Sequence, residues 1–356
     1  MKELSFKGQE IYVGIDVHLK QWNVAIYTEK SFHKVFQQPA DASVLGNYLR
    51  RNFPDADYRT VYEAGLTGFS THRQLENEGF HNIVVHPADV PTMDKERRQK
   101  RDKSDAMKLG KALRSGDLSA VYVPSLKVQQ DRELIRYRCD KLIPKLTRVK
   151  NQIKSFLHLY GIDIPAEFKT GPSHWSKAWV AWLHSIQLTH ISGQQVLEHL
   201  LEELAFCQTR LRQVDRQIVA LSRQEFYRDR VKLLRSVPGI GLLIAMVILT
   251  EIDRMDRFES LDKLCHYVGL VPNVYASDVK ERVGHQTRRG NSLLRRLLLQ
   301  SAWVAKNRDP ALLLKFDELT KRMNANKAIV RIQKKLLSRI RRVMLTGEPY
   351  ECGIVQ

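Results

Sequence analysis

Hydrophobic residues in the first third of the chain alternate between short β-branched runs and amphipathic stretches with helical spacing. The runs predict five strands and the stretches predict two helices. In chain order these are strands at residues 11–15, 22–27, 33–36, 60–64 and 82–86, with helices at residues 42–51 and 72–78. The first three strands form a meander, and the later alternation with helices predicts an α/β layer fold with a mixed sheet.

Two heptad seams mark the middle third of the chain. Each runs for about three heptads with apolar residues at spacings of four and three, which is typical of a coiled coil. The first consists of Ile135, Cys139, Leu142, Leu146, Val149, Ile153 and Phe156, and the second of Leu200, Leu204, Cys207, Leu211, Val214, Ile218 and Leu221. Pro144 interrupts the first seam and predicts a kink. The pattern predicts a helical hairpin that closes on itself or on a second copy, and we favour self-association.

A stripe of three tryptophans lies in the connection between the two seams, at Trp175, Trp179 and Trp182. Aromatic side chains can stack on unpaired bases. Apolar residues at positions i, i+4 and i+7 more often form the buried face of a helix. Packing is therefore the favoured interpretation of the stripe.

The last third opens with Leu-Leu-Arg-Ser-Val-Pro-Gly-Ile-Gly-Leu-Leu-Ile at residues 233–244. This segment predicts a helix, a tight turn and a buried helix, the pattern of a helix-hairpin-helix. Gly239 and Gly241 would let the backbone approach a phosphate, which the amides at the start of the next helix would then bind. A plain helical turn in a protein core has the same sequence, so the motif alone leaves both interpretations open.

Positive charge is concentrated near the end of the chain. Residues 280–342 hold 18 Lys and Arg against 4 Asp and Glu, out of a net charge of +19 for all 356 residues. A solvated helix face normally mixes both signs, so this excess predicts a nucleic-acid-binding surface. Beside Gly239 and Gly241, the candidate contacts are Arg288, Arg289, Asn291, Arg295 and Arg296.

Several other classes of protein do not fit the composition. No apolar run approaches the ~20 residues that a membrane span needs, and the first residues lack the apolar core of a signal peptide. The four cysteines are scattered without zinc-site spacing, which predicts a reduced, cytoplasmic protein without structural zinc. A Walker-type Gly-x-x-x-x-Gly-Lys-Ser/Thr motif does not occur, so bound nucleotide is not expected.

Four acidic residues are the candidates for chemistry. Asp16 and Glu63 each stand at the end of a predicted strand, whereas Asp102 and Asp105 share one face at the start of a predicted helix. Carboxylates close together repel one another unless cations intervene. Magnesium prefers such hard oxygen ligands and needs few of them from protein. The set predicts a metal-dependent phosphodiester enzyme, in which two Mg²⁺ (or Mn²⁺) ions about 3.5–4 Å apart would assist phosphoryl transfer.

Each of these residues also has a simpler interpretation. Asp16 or Glu63 alone would suit a turn or a cap, and Asp102 with Asp105 would complement a helix dipole. Ser277 stands in a polar stretch and precedes an aspartate. From spacing alone, such a serine is more often a turn or capping residue than a nucleophile.

Taken together, the motifs resemble a known family, the DEDD-type transposases of bridge-RNA-guided insertion sequences, relatives of the Piv site-specific DNA invertases. The similar N-terminal segments are residues 14–18, 63–65 and 100–106, and the similar C-terminal segments are residues 236–241, 257–258, 264–272 and 288–298, with Ser277 between the last two. The resemblance spans residues 10–310. The family usually has glycine after the serine, whereas Asp278 stands here.

The resemblance implies three parts. An RNase H-like (RuvC-like) catalytic domain would occupy residues 8–125, a coiled-coil linker or dimerisation region residues 126–228, and a mostly α-helical transposase domain with a helix-hairpin-helix residues 229–345, before a tail at 346–356. Asp16, Glu63, Asp102 and Asp105 would be the catalytic metal ligands and Ser277 the nucleophile that forms a phosphoserine link to DNA.

The resemblance also implies partners. They are double-stranded donor and target DNA, a structured guide RNA, and further copies of the chain in a dimer or tetramer, in the cytoplasm or nucleoid of a bacterium or archaeon. A water-using nuclease or junction resolvase, a DNA invertase of the same family, and a non-catalytic RNA scaffold are the alternatives. A sugar-kinase-like enzyme would need a Gly-rich phosphate loop after the first strand, and Val17-His18-Leu19 offers none.

Overall fold

The computed structural model describes residues 5–90, 102–169, 175–277, 280–287 and 289–353. Within these ranges, it describes only the backbone of residues 102, 103, 169, 272–277 and 280–286. The chain forms two compact units, residues 1–124 and residues 125–356.

The first unit is a five-stranded mixed sheet with helices on both faces. Its strands are β1 (Glu10–Val17), β2 (Gln21–Thr28), β3 (Phe32–Pro39), β4 (Asp57–Glu63) and β5 (His81–Val85), in the order β3-β2-β1-β4-β5. Its helices are α1 (Ala42–Asn52), α2 (Ser70–Asn77) and α3 (Asp102–Ser115), with a 3₁₀ turn at Pro87–Asp89. β1, β2 and β3 are antiparallel neighbours, while β1, β4 and β5 run parallel. The predicted meander and mixed sheet are confirmed.

Alternation along β1 explains the two layers. Ile11, Val13 and Ile15 are fully buried in a core that includes Leu45 and Leu49 of α1. The residues between them face the other side of the sheet, where α3 packs against β1, β2 and β4. Because both faces of β1 and β2 are covered, residues 11–15 and 22–27 are nearly all buried.

The second unit is built from helices and one hairpin. Its helices are α4 (Leu126–Arg136), α5 (Ile143–Leu159), α6 (Ala166–Lys169), α7 (Lys177–Ser185), α8 (Ile191–Ser222), α9 (Glu225–Arg235), α10 (Leu242–Ile252), α11 (Leu261–Val268), α12 (Ser292–Arg308), α13 (Pro310–Thr320) and α14 (Ala325–Thr346). The strands β6 (Pro272–Ser277) and β7 (Lys280–Gln286) pair antiparallel. α10 is apolar on nearly every side and lies at the centre of the largest core. None of the helices in the described ranges has the length and hydrophobicity needed to cross a bilayer.

The two heptad seams meet inside a single chain. Val149 and Ile153 of α5 share a buried cluster with Leu201 and Leu204 of α8. Nearer the rest of the unit, Cys139 and Leu142 join Val214 and Ile218 in the large core. The seams therefore form an intramolecular helical pair, and pairing with a second copy through them stays a prediction.

A π-helical segment lies where the kink was predicted. Tyr137–Leu142 is π-helical and joins α4 to α5, and Pro144 stands in the first turn of α5. Proline lacks an amide proton and its ring crowds the preceding turn, so a regular α-helical ladder cannot pass through it. The wider π turn accommodates the break without ending the helix.

The tryptophan stripe is part of the hydrophobic core. Trp179 is fully buried, and the ring of Trp175 stacks on it with centroids 5.0 Å apart. Trp182 packs edge-on against Trp179 at 6.2 Å. The favoured interpretation, packing, is confirmed.

Candidate active site

The register of two parallel strands brings Asp16 and Glu63 to one edge of the sheet. β1 and β4 pair up to Ile15 opposite Tyr62, and Asp16 and Glu63 are the next residues of each strand. Paired residues of parallel strands project to the same face, and neighbouring strands lie about 4.8 Å apart. The two residues are therefore neighbours at the carboxyl ends of β1 and β4, where open α/β sheets bind their ligands.

Two glycines let α3 lie directly on this face of β1. A Cβ at Gly14 would stand 2.2 Å from the carbonyl oxygen of Ala106 and 2.2 Å from the amide nitrogen of Gly110. A Cβ at Gly110 would in turn stand 3.2 Å from the amide nitrogen of Gly14. Helix and strand thus touch backbone to backbone, two residues before Asp16.

Contacts of Tyr27 give the direction of α3. Its hydroxyl donates to the carbonyl of Met107 at 3.1 Å, and the Arg114 guanidinium lies over its ring at 5.2 Å. Since Tyr27 pairs with Tyr12, the carboxyl end of α3 lies over the beginning of β1. The first turn of α3 therefore lies toward the end of β1 that carries Asp16.

Helix geometry places Asp102 and Asp105 at the end of α3 that lies toward Asp16. Asp102 begins α3 and lies about 6 Å along the helix axis from Ala106. Asp16 lies about 7 Å along β1 from Gly14, in the same direction in which Asp102 lies from Ala106. Asp105 is partly buried, with a 24% exposed side chain. The Asp102 side chain lies outside the described part of the molecule.

Three polar residues surround the acids and were not predicted. His18 Nε2 lies 3.0 Å from Asp16 Oδ2, and Lys108 Nζ lies 3.2 Å from Asp105 Oδ1. Asn23 of β2 is paired with Asp16 of β1 and is almost fully buried. His18 could have been recognised from its position two residues after Asp16, whereas Asn23 depends on the register of the β1–β2 hairpin.

A hydrogen-bonded tyrosine anchors the strand end that carries Glu63. The Tyr62 hydroxyl donates to the carbonyl of Gly68 at 2.8 Å and accepts from the amide of His72 at 3.1 Å. Burial raises the pKa of Tyr62 to about 12, so the hydroxyl keeps its proton and continues to donate. Burial also lowers the pKa of His72. The loop after Glu63 is therefore tied to the start of α2.

The donor chemistry of the acidic residues fits Mg²⁺ or Mn²⁺, because it consists of carboxylate oxygens on rigid elements. Asp16, Glu63 and Asp105 are only partly buried, so their oxygens can be reached from solvent. Among the side chains that the structure describes, no three His, Cys, Asp or Glu residues lie close enough to hold an ion together.

Ser277 ends β6, next to the turn of the hairpin. It is paired with Lys280 of β7, and its side chain lies outside the described part, as do Asp278 and Arg288. At the base of the hairpin, the amide of Thr287 donates to the carbonyl of Val271 at 3.0 Å. The hairpin therefore leaves the helical core between α11 and α12 with Ser277 at its tip.

Arg295 fastens the base of this hairpin. Its Nη1 donates to the carbonyls of Gly269, Thr287 and Arg289, at 3.3, 3.0 and 3.2 Å. Gly269 precedes the hairpin and the other two follow it. Arg289, another predicted nucleic-acid contact, is exposed. The guanidinium of Arg295 is thus engaged within the chain.

Asn291 also makes its polar contacts within the chain. Its Oδ1 caps α12 by accepting from the amide of Leu294 at 3.0 Å, and its Nδ2 donates to Glu251 Oε2 at 2.7 Å. Glu251, only 1% exposed, also accepts from Arg136 at 2.5 and 2.8 Å. The pair raises the pKa of Arg136. Arg296, by contrast, is half exposed and lies 3.3 Å from Asp140.

Gly239 and Gly241 have different surroundings. Gly239 adopts a φ of +84°, and a Cβ there would lie 2.5 Å from the carbonyl oxygen of Ser301 on α12. Glycine is required at this position by packing within the chain. Gly241 is exposed, caps the start of α10, and has no atom within 4 Å of a Cβ position. Of the two glycines, Gly241 is the one with open space beside it.

Known protein families match both parts of the chain. The DEDD transposase profile of the IS110 elements, described as "Transposase", matches residues 13–162. A second profile, described as "Transposase IS116/IS110/IS902 family", matches residues 231–316. The four candidate acids fall in the first segment, and Ser277 falls in the second.

Individual relatives are similar over most of their length. A putative transposase, y4qE, from Sinorhizobium fredii is 29% identical over 83% of this chain and 72% of its own. The transposase for insertion sequence element IS1111A from Coxiella burnetii is 24% identical over 99% of this chain and 93% of its own. The transposase for insertion sequence element IS1533 from Leptospira borgpetersenii is 25% identical over 69% of this chain and 70% of its own. With both profiles matched in order along one polypeptide, the chain belongs to the IS110 family of transposases, which act on DNA.

Proposed function

We propose that this transposase cuts and rejoins the DNA of an insertion sequence at an acidic site formed by Asp16, Glu63, Asp102 and Asp105. The observation that carries the proposal is the register of β1 and β4, which makes Asp16 and Glu63 neighbours beside the start of α3. Divalent ions, Mg²⁺ or Mn²⁺, bound there would supply positive charge to the scissile phosphate. Asp105 and Asp102 would complete the ligand set.

The proposed nucleophile is the Ser277 hydroxyl. Its oxygen attacks the scissile phosphorus and forms a serine–phosphate bond, while the bond between phosphorus and the deoxyribose oxygen breaks. The attacking serine hydroxyl loses its proton. The departing deoxyribose oxygen gains a proton and leaves as a hydroxyl. After strand exchange a DNA hydroxyl attacks the phosphoserine and regenerates the serine. Each step replaces one phosphodiester with another, so the reaction requires no ATP.

The acids and the serine belong to different compact units, and in the proposed assembly the acids of one subunit act with the serine of another. A dimer or a tetramer would provide such a pair. Arg295 supports the role of the hairpin because it fastens both ends of the segment that carries Ser277. The Thr287–Val271 hydrogen bond closes the base of the same hairpin.

The proposed partners are donor and target DNA and a structured guide RNA, met in the cytoplasm or nucleoid. Support comes from residues 280–342, with 18 Lys and Arg against 4 Asp and Glu. α14 alone contains seven cations and no acid. Phosphate contacts from such a surface give affinity without reading sequence. Arg296, Arg289 and the α10 start at Gly241 offer polar groups toward solvent.

The decisive experiment is a search for a covalent protein–DNA adduct. The purified chain, with RNA that co-purifies, is incubated with end-labelled DNA of the insertion-sequence junction and Mg²⁺, then separated in denaturing gels. We expect an adduct with the natural chain, none with Ser277→Ala, and none with Asp16→Asn. Ser292→Ala, an exposed serine in the same unit, serves as the matched control and should leave the adduct unchanged.

Two results would contradict the proposal. DNA cleavage by Ser277→Ala at the natural rate would indicate a nuclease that uses water. Adduct formation by Asp16→Asn at the natural rate would show that the acidic site is not needed. A guide RNA is tested separately, by nuclease treatment of the co-purified RNA before the reaction.

A further inference from the structure

A groove with a volume of about 890 Å³ lies in the second unit, between α5 and α12. One wall is the stretch of α5 from Pro144 to Ser155, and the other contains Arg296 and Gln300 of α12. Leu243, in the first turn of α10, lies at its side. The volume is within the range of ligand-binding clefts.

The wall contributed by α5 is polar and exposed. Arg148, Asn151, Gln152 and Ser155 recur at the spacing of one helix face and line the groove. The opposite face of the same helix is buried in the core around Ile153. This polar face therefore has no role in packing α5, and its amide and hydroxyl groups are available to a ligand.

Three arginines and no acids line the groove. Arg138 pairs with Asp215, and Arg296 lies 3.3 Å from Asp140, yet neither acid is part of the lining. Arg148 is exposed, and no acid among the described residues pairs with it. Arg148 therefore adds a positive charge to the groove that no described acid balances, which favours an anionic ligand.

The groove is also bordered by the π-helical segment. Arg138 and Cys139 belong to that segment and line the groove directly before Pro144. π-Helical turns are rare in proteins overall, and those that occur often lie at functional sites. Here the irregular turn places an arginine at the end of the polar wall of α5.

We propose that this groove binds the sugar–phosphate backbone of a nucleic-acid strand. Guanidinium groups bind phosphate oxygens with two hydrogen bonds, while amide and hydroxyl side chains bind phosphates and sugars. Arg148 and Arg296 would hold phosphates from opposite walls, and Gln152 and Gln300 would hydrogen-bond the backbone between them. The choice of nucleic acid as the anion rests on the proposed function. The binding itself requires neither the acidic site nor Ser277.

Binding of labelled oligonucleotides to the full chain tests the proposal. Fluorescence anisotropy is recorded with single-stranded RNA, single-stranded DNA and duplex DNA, in EDTA and over a range of salt concentrations. Arg148→Glu should weaken binding of at least one of the three about tenfold, and should reduce the slope of log affinity against log salt by about one. The nucleic acid that loses most affinity identifies the strand that occupies the groove.

Arg223→Glu is the matched control, because it makes the same charge change at an exposed site outside the groove. Arg223 caps the end of α8. It lies roughly 12 Å along that helix from Asp215, the ion-pair partner of the groove residue Arg138. A second variant, Asn151→Asp with Gln152→Glu, introduces negative charge but keeps every arginine. It decides the outcome if Arg148→Glu does not fold, as judged by its thermal unfolding midpoint.

The proposal would be overturned if the groove variants and Arg223→Glu lost the same amount of binding affinity. It would also be overturned if the groove variants bound all three nucleic acids as tightly as the natural chain. Because this assay contains EDTA and records binding alone, its outcome does not depend on cleavage or strand transfer. Failure of the groove proposal is thus distinguished from failure of the strand-transfer chemistry.

Discussion

Two kinds of carboxylate occur in this chain. Glu251 is fully buried and its charge is balanced inside the protein, by Arg136 and by the amide of Asn291. The side chains of Asp16 and Asp105 remain 22% and 24% exposed, and they contact His18 and Lys108 at 3.0 and 3.2 Å. The buried acid links α4, α10 and the start of α12, whereas the partly exposed acids belong to the proposed metal site.

Replacement of Glu251 should test its structural role. Glu251→Gln removes the charge that pairs with Arg136 and should lower the free energy of unfolding by about 3 kcal/mol, measured by urea denaturation. Asp262→Asn is the control, because that acid pairs with Lys334 at the surface. Exposed pairs contribute little, so no measurable change is expected. Equal stability of both variants would show that the buried pair does not stabilise the unit.

At the scale of elements, the active-site geometry depends on the contact between β1 and α3. A methyl group at Gly14 would meet backbone atoms of Ala106 and Gly110, which cannot rotate away. Gly14→Ala should therefore displace α3 and destabilise the first unit by at least about 2 kcal/mol. Urea denaturation measures the loss.

Gly65→Ala is the matched control for this change. It lies in the same unit without a left-handed φ, and its Cβ would approach only the Glu63 carbonyl oxygen, at 3.7 Å. We expect its stability to stay within about 0.5 kcal/mol of the natural chain. Destabilisation of both variants to the same extent would contradict a specific contact of α3 with Gly14.

In the first unit element type was predictable from the sequence and element pairing only partly so, whereas the β6–β7 hairpin of the second unit was not predicted. The five strands and the helices between them follow from alternating and helical hydrophobic patterns, as Ile11, Val13 and Ile15 illustrate. The approach of α3 to Gly14 depends on tertiary packing that no local pattern encodes. Periodicity likewise could not decide whether the heptad seams pair within one chain, since the same face suits either partner.

The candidate site shows the same division between local and tertiary information. Asp16 and Glu63 stand at predicted strand ends, so their proximity could be expected. The contacts of Asn291 with Glu251 and of Arg295 with three carbonyls could not. In the sequence both residues belong to a basic cluster typical of a nucleic-acid surface. Only the folded core shows that their polar atoms are used within the chain.

At the scale of the whole molecule, the two units differ sharply in charge. Residues 1–124 contain 18 Lys and Arg and 16 Asp and Glu, a net charge of +2, which leaves +17 for residues 125–356. The candidate acids thus lie in a nearly neutral unit, while almost all of the positive charge that we expect to attract nucleic acid lies in the other. Affinity for DNA should consequently fall steeply as salt rises.

Charge reversal on α14 tests the contribution of the second unit. Arg331 and Lys335 are exposed on one face of that helix. Arg331→Glu with Lys335→Glu should weaken binding to DNA of every sequence and reduce the salt slope by about two, measured by anisotropy. Lys30→Glu with Lys34→Glu, in the first unit, is the matched control. Equal losses for the two double variants would contradict a nucleic-acid surface in the second unit.

The metal site of the first unit is best tested by titration of the purified chain with Mn²⁺, followed by electron paramagnetic resonance of the free ion. We predict that the natural chain depletes free Mn²⁺, and that Asp16→Asn and Asp105→Asn each weaken this binding at least about tenfold while the fold is retained. Asp117→Asn, an exposed acid in the same unit, should bind as the natural chain does. Mn²⁺ binding unchanged by Asp16→Asn and Asp105→Asn, or absent from the natural chain, would contradict an ion held between β1, β4 and the start of α3.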